Sequence, residues 1–233
     1  MKGLLLRVGI DMGSGGCLAP IFRDGSFEYI PIPEIRSTSE SKVYANMDGI
    51  TGRPLGDFVP EKIRYSHPHH DPEFNTFTYG DPTKNKRTRL SELSLGDLLI
   101  FYAGLRPNGW EGKPRLFVIG YFDVEEVYDF KKIQKSDYDS MFKKVPNNAH
   151  SKRYFRLKEL NVDYSDDSLV IVKGKSKSSK LFTRALPIGD YSAKMRKDLE
   201  SIFGYKGSLQ RAVGHRIKEE NVHKVKEWLE KET

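Results

Sequence analysis

A single cysteine, Cys17, stands among 233 residues. A lone thiol excludes an internal disulfide framework and a cluster of cysteines around a metal, and a reducing cytoplasm is the expected setting. Tryptophan is nearly as scarce, with two. Long hydrophobic runs are missing: the N-terminal apolar stretch Leu4 to Ile10 falls far short of the roughly 20 residues a membrane helix needs. No secretory pattern is visible either, so a soluble protein with no membrane partner is expected. Acidic excess is also absent. Lys and Arg total 39 against 32 acids, a formal charge of +7, which suits a polyanion where the surplus is clustered. It concentrates between Lys131 and Lys180, whereas residues 24–50 are near balance. A solvated lysine surface is the plainer reading of that cluster.

The most informative stretch present is Arg7 to Pro20. Leu4 to Ile10 reads as a buried strand that stops at Asp11 and a turn holding Gly13, Ser14, Gly15 and Gly16. Glycines there let backbone amides approach a phosphate, so these four residues are candidate nucleotide ligands, with Asp11 as a candidate catalytic acid or base. The turn matches neither standard phosphate motif, because Leu18 and Ala19 replace the Walker Lys and Ser/Thr and Pro20 argues against a following helix. A purely structural turn is the alternative. Cys17 beside it reads as a packing residue.

Farther along, Ile21-Phe22-Arg23 and Phe27 to Ile30 flank Asp24-Gly25-Ser26 as a hairpin. Residues 34–89 form a long insert whose aromatics argue for order. Leu98 to Leu105 and Leu116 to Val127 predict the central antiparallel strand pair, with Gly120 where a bulge fits. Residues 137–160 are helical in part, Ser168 to Gly174 is a last strand, and Lys194 to Ile202 and Glu220 to Glu230 show helical spacing. The expected class is α+β: a mixed, mainly antiparallel β-barrel core over 1–190, with the insert at 34–89 and a helical extension over 191–233.

Within the insert, His67-Pro68-His69-His70-Asp71 offers imidazoles and a carboxylate. His69, His70, Asp71 and Asp81 are candidate acid–base groups. Three histidines within four residues rarely converge on one ion without ligands from elsewhere, so the spacing assigns no metal, and the cofactor stays unknown. Phe77 and Tyr79 could stack on a base, or could plug the loop onto the core. Lys86, Arg87 and Arg89 would suit a backbone phosphate.

Gly9-Ile10-Asp11 to Pro20, Asp24 to Pro31 and His69-His70-Asp71-Pro72 to Asp81 together resemble the nucleotide modification associated domain 3 family of bacteria, archaea and phages. The resemblance covers most of the chain and implies a link to modified DNA bases; it transfers no established catalytic residue. Separately, Leu95 to Tyr102 and Phe117 to Val124 are similar to the paired strands of PUA-like barrels such as the ASCH, EVE and YTH modules, whose members bind RNA or modified bases. The long insert and the lack of a tryptophan cage depart from a YTH-type pocket.

The leading expectation is a protein that binds nucleic acid, DNA ahead of RNA, or a nucleotide, with the 131–180 lysines on phosphates and the 67–81 loop near the base. An enzyme acting on a nucleotide or nucleobase is the alternative, and a partner-binding protein using its C-terminal helices is a third. The first two require the glycine turn and the histidine loop to share one cleft.

Overall fold

The computed structural model describes residues 1–210 and 213–232. The N-terminal half forms β1 (Gly3–Arg7), β2 (Ala19–Ile21), β3 (Ile32–Pro33), β4 (Pro68–His69), β5 (Thr78–Asp81) and α1 (Lys84–Leu90), then the long strand β6 (Leu98–Pro107). There follow β7 (Arg115–Asp129), α2 (Tyr138–Lys144), α3 (Ala149–Glu159), β8 (Val170–Gly174), β9 (Lys180–Pro187), α4 (Glu200–Phe203), β10 (His215–Ile217) and α5 (Glu219–Glu232).

The two apolar runs pair as expected: β6 and β7 are antiparallel from Leu98 opposite Asp123 to Leu105 opposite Arg115. On the far edge of β6, β1 and β2 lie one after the other, both parallel to it. On the far edge of β7, β9 takes the first half of the strand and β8 the second. A methyl group on Gly120 would sit 2.4 Å from the Lys180 carbonyl and 3.0 Å from the Phe74 ring, so glycine is required where β9 crosses. Around it Phe74, Phe101 and Phe122 interlock edge to face, with centroids 4.7–5.7 Å apart.

The expected barrel closure is not found. The sheet runs β10-β1-β6-β7-β8-β5 and its end strands do not pair with one another among the described residues. Because β7 divides its outer edge between two partners, the sheet branches there. The end strands are only four and three residues long and present little unpaired backbone. The fold is α+β, a large mixed sheet with several helices.

Two other expectations meet tertiary competition. The 21–30 hairpin keeps its turn, with Asp24 accepting from the Ser26 amide, but pairs through a single bridge between Ile21 and Phe27. Of the helix at 194–202, only Glu200–Phe203 is helical. Met195 and Leu199 are buried as the spacing required, yet the Met195 and Arg196 amides bond to Gly207 and Ile188 rather than to a helical turn. The C-terminal helix does form, burying Val222, Val225 and Leu229 in the same core as β1 and β6. In the 191–233 stretch, β10 pairs with β1, while Arg211, Ala212 and Thr233 lie outside the described residues.

The helical region at 137–160 divides in two at Val145 to Asn148, and Asn148 caps α3 by accepting from the His150 amide at 3.0 Å. A second apolar cluster fastens this pair of helices to the sheet. Phe142 stacks on Phe130 at 4.5 Å and on Tyr154 at 4.4 Å, above Leu169 and Ile171. Phe142→Ala should therefore cost about 3–5 kcal/mol in urea denaturation, the range for emptying an aromatic core position. A loss below 1 kcal/mol would show that this cluster does not hold α3.

Candidate functional site

The insert at 34–89 is ordered by its own buried side chains. Tyr44 and Leu55 are fully enclosed, and the Tyr44 hydroxyl donates to the Pro31 carbonyl. One short ladder matters most: β3 pairs with β4, placing Ile32 opposite His69. Glu34, just past β3, thereby reaches His69, whose Nδ1 lies 2.6 Å from Glu34 Oε2. Arg153, projecting from α3, holds the same carboxylate at 3.1 and 3.2 Å and also pairs with Asp166.

Asp71 follows two residues later, joined to Pro72 by a cis peptide bond. Its Oδ1 accepts from the Gly80 amide of β5 at 2.7 Å and from Asn148 Nδ2 at 3.2 Å. Its Oδ2 faces two imidazoles, 3.1 Å from His150 Nε2 and 3.5 Å from His69 Nε2. The rings of His69 and His150 meet edge to face at 5.2 Å. Gly80 is what admits His150: a methyl group there would lie 2.8 Å from the imidazole Cδ2.

The electrostatics follow from this packing. Burial works against the charge of Asp71, yet the adjacent imidazoles outweigh it and hold the carboxyl at about 2. Glu34 is treated likewise by His69 and Arg153, also to about 2. Burial would lower His69, but the Asp71 and Glu34 carboxylates raise it to about 9. His70 points the other way, where burial and Lys152 push it down to about 4.

His70 opens onto a cleft of about 450 Å³, lined among others by Glu40, Lys42, Asn75, Asn147 and Lys152. Lys152 pairs with Glu40. Asp71 sits behind this surface, between two cleft-lining neighbours in the chain, His70 and Pro72.

The glycine turn does not join it: none of residues 11–16 lines the cleft, so the expected shared cleft is not formed and a nucleotide site must rest on the histidine side alone. Its amides are also already used. Asp11 Oδ1 accepts from Gly13 and Ser14, and the Asp11 carbonyl accepts from Gly15 and Gly16, so the turn folds around its own acid instead of an anion. Asp81 is likewise enclosed, accepting from Thr83 and pairing with Lys86 at 3.0 Å, and Tyr79 donates to it. Tyr79 is 2% exposed against Phe101, and Phe77 packs edge-on against Phe122. Tyr79 plugs the core and is closed to a base, whereas Phe77 packs on the core half-buried, and neither ring lines the cleft. Arg87 and Arg89 lie on α1, and Arg89 borders a different cavity with Arg216 and Glu92.

The lysine-rich region is more balanced than its composition implies. Lys132, Lys135, Lys143, Lys158, Lys173 and Lys175 each pair with an acid. Sequence reasoning missed Glu34, His150 and Arg153. The signal for His150 was Asn148, a capping residue that fixes where α3 begins and so which residues its first turn presents.

The sequence model of the nucleotide modification associated domain 3 family matches residues 2–230 of the chain. No curated protein and no solved structure matches it.

Removing the Glu34 carboxylate leaves the buried Arg153 guanidinium short of a partner, and breaking a buried pair from one side costs about 3–5 kcal/mol. Glu34→Ala should lower stability to urea by that amount. Glu61→Ala, which breaks an exposed pair with Arg64, should change it by less than about 1 kcal/mol. Equal effects would mean that the Glu34–Arg153 contact is not buried in solution.

Proposed function

Because the chain belongs to the nucleotide modification associated domain 3 family, we propose that the His70 cleft binds a single nucleotide, free or presented by DNA ahead of RNA. The cleft itself carries this reading. Its volume of about 450 Å³ falls within the usual range for small-molecule sites. Lys42 supplies a cation for a phosphate beside the Lys152–Glu40 pair, while Asn75 and Asn147 supply donors and acceptors for a base edge. A base within a duplex could enter only after leaving its stack, so single-stranded or mismatched DNA is the better polymer ligand.

A second reading, an enzyme acting on a nucleotide or nucleobase, is favoured by one observation: a carboxylate held between two imidazoles directly behind the cleft. His70 at the cleft surface and Asp71 behind it are then the groups closest to the chemistry, while Asp11 and the glycine turn play no part.

Calorimetry with a panel of deoxynucleoside monophosphates and short single strands tests the binding reading. Lys42 is exposed, so Lys42→Glu should leave the fold intact and weaken nucleotide binding at least tenfold. No binding by the native protein, or unchanged binding by the variant, would refute it. His70→Ala separates the two readings by mass spectrometry of the incubated nucleotide: lost conversion with retained binding supports an enzyme, and lost binding with no conversion by the native protein supports a reader.

A further inference from the structure

We propose that His69, Asp71 and His150 form a binding site for one divalent first-row metal ion, zinc or iron(II) in class, through the two Nε2 atoms and Oδ2. The three donor atoms lie within 4.8 Å of one another, buried beneath the cleft. Zinc bonds imidazole and carboxylate at about 2.0–2.2 Å, and two such ligands at angles between 90° and the tetrahedral value stand roughly 3.0–3.5 Å apart. The separations from Oδ2, 3.1 and 3.5 Å, fall in that range, and the two imidazole nitrogens, within 4.8 Å of each other, would close onto an ion with a small inward shift of one ring. Two imidazoles with one carboxylate is a donor set that suits zinc and non-haem iron.

The hydrogen bonding points to an ion as well. Asp71 Oδ2 is fully buried and accepts a hydrogen bond from neither imidazole, although both are within 3.5 Å. A buried carboxylate oxygen left this way is costly, and protein interiors rarely tolerate it. No lysine or arginine pairs with Asp71 among the described residues, whereas Glu34 beside it has Arg153. A cation between Oδ2 and the two Nε2 atoms, taking the place of any imidazole proton there, would bond to all three at once.

The surrounding groups already orient two of the three donors, while His150 Nδ1 has no hydrogen-bond partner. His69 Nδ1 meets Glu34 Oε2, which turns the Nε2 lone pair inward. Asp71 Oδ1 is fixed by Gly80 and Asn148, which leaves Oδ2 as the free oxygen. A carboxylate behind a ligating imidazole and hydrogen bonds behind a ligating carboxylate are the supports metal sites commonly have. Three protein ligands leave at least one coordination position for water or a ligand oxygen.

The test uses the full chain after chelator dialysis, titrated with Zn2+ alone by calorimetry, so it does not depend on the nucleotide reading. One ion per chain is expected. His150→Ala should weaken binding at least 100-fold, and Glu34→Gln, which keeps the side chain's size but removes the charge behind His69 and beside Arg153, by 10–100-fold. Cys17→Ser and His67→Ala should leave it unchanged, which separates this site from adventitious thiol or surface-imidazole binding. Should His150→Ala fail to fold by circular dichroism, Glu34→Gln and the visible spectrum of the Co2+-loaded native protein decide the matter. No stoichiometric uptake, or uptake that persists equally in folded His150→Ala and in Glu34→Gln, would overturn the proposal.

Discussion

The buried carboxylate of Asp71 is the constraint on which the rest of the site depends. Its two oxygens are used differently. One is tied to the sheet through the Gly80 amide and to the start of α3 through Asn148, and the other faces two imidazoles from separate parts of the chain. A charge so deep is sustained only by well-placed partners. The loop at 67–81, β5 and α3 are therefore held together at one point, and the two apolar clusters set how precisely they meet.

Those clusters have separate tasks. The interlocked rings of Phe74, Phe101 and Phe122 fix the insert against β6 and β7. The Phe130–Phe142–Tyr154 stack fixes α3 against β8. Between them runs a charged chain, Glu34 to Arg153 to Asp166 to Arg36, crossing from the insert to α3. The cleft at His70 lies where these units meet, so anything bound there touches side chains from both the insert and α3.

Much of this was legible in the chain. The apolar runs at 98–105 and 116–127 gave the central pair because burial on both faces leaves an unbroken hydrophobic signature, and Gly120 marked the crossing of β9. Residue type and spacing alone singled out His69, His70 and Asp71, and the fold brings His69 and Asp71 together. The missing partner was not singled out, because His150 is 79 positions away from Asp71 and sits in a run read for its lysines and helical spacing, neither of which marks an imidazole as a partner. The glycine turn misled for a local reason. An acid two residues before a glycine can satisfy the turn's amides itself, and Asp11 does so. Phe77 and Tyr79 show the same ambiguity for rings, since a phenyl group that seals a loop and one that stacks on a base have identical sequence signals. Counting lysines between 131 and 180 overstated the free positive charge, because the neutralising acids come from other segments as well as from nearby positions.

The central claim is that Asp71 gathers His69 and His150 around a single point capable of holding an ion. Anomalous difference maps from crystals of the full chain grown with Zn2+, recorded at the zinc absorption edge, test it most directly. The account predicts one strong peak about 2.0–2.2 Å from His69 Nε2, Asp71 Oδ2 and His150 Nε2. An empty map at that point, or an imidazole of His150 turned away from Asp71, would contradict it.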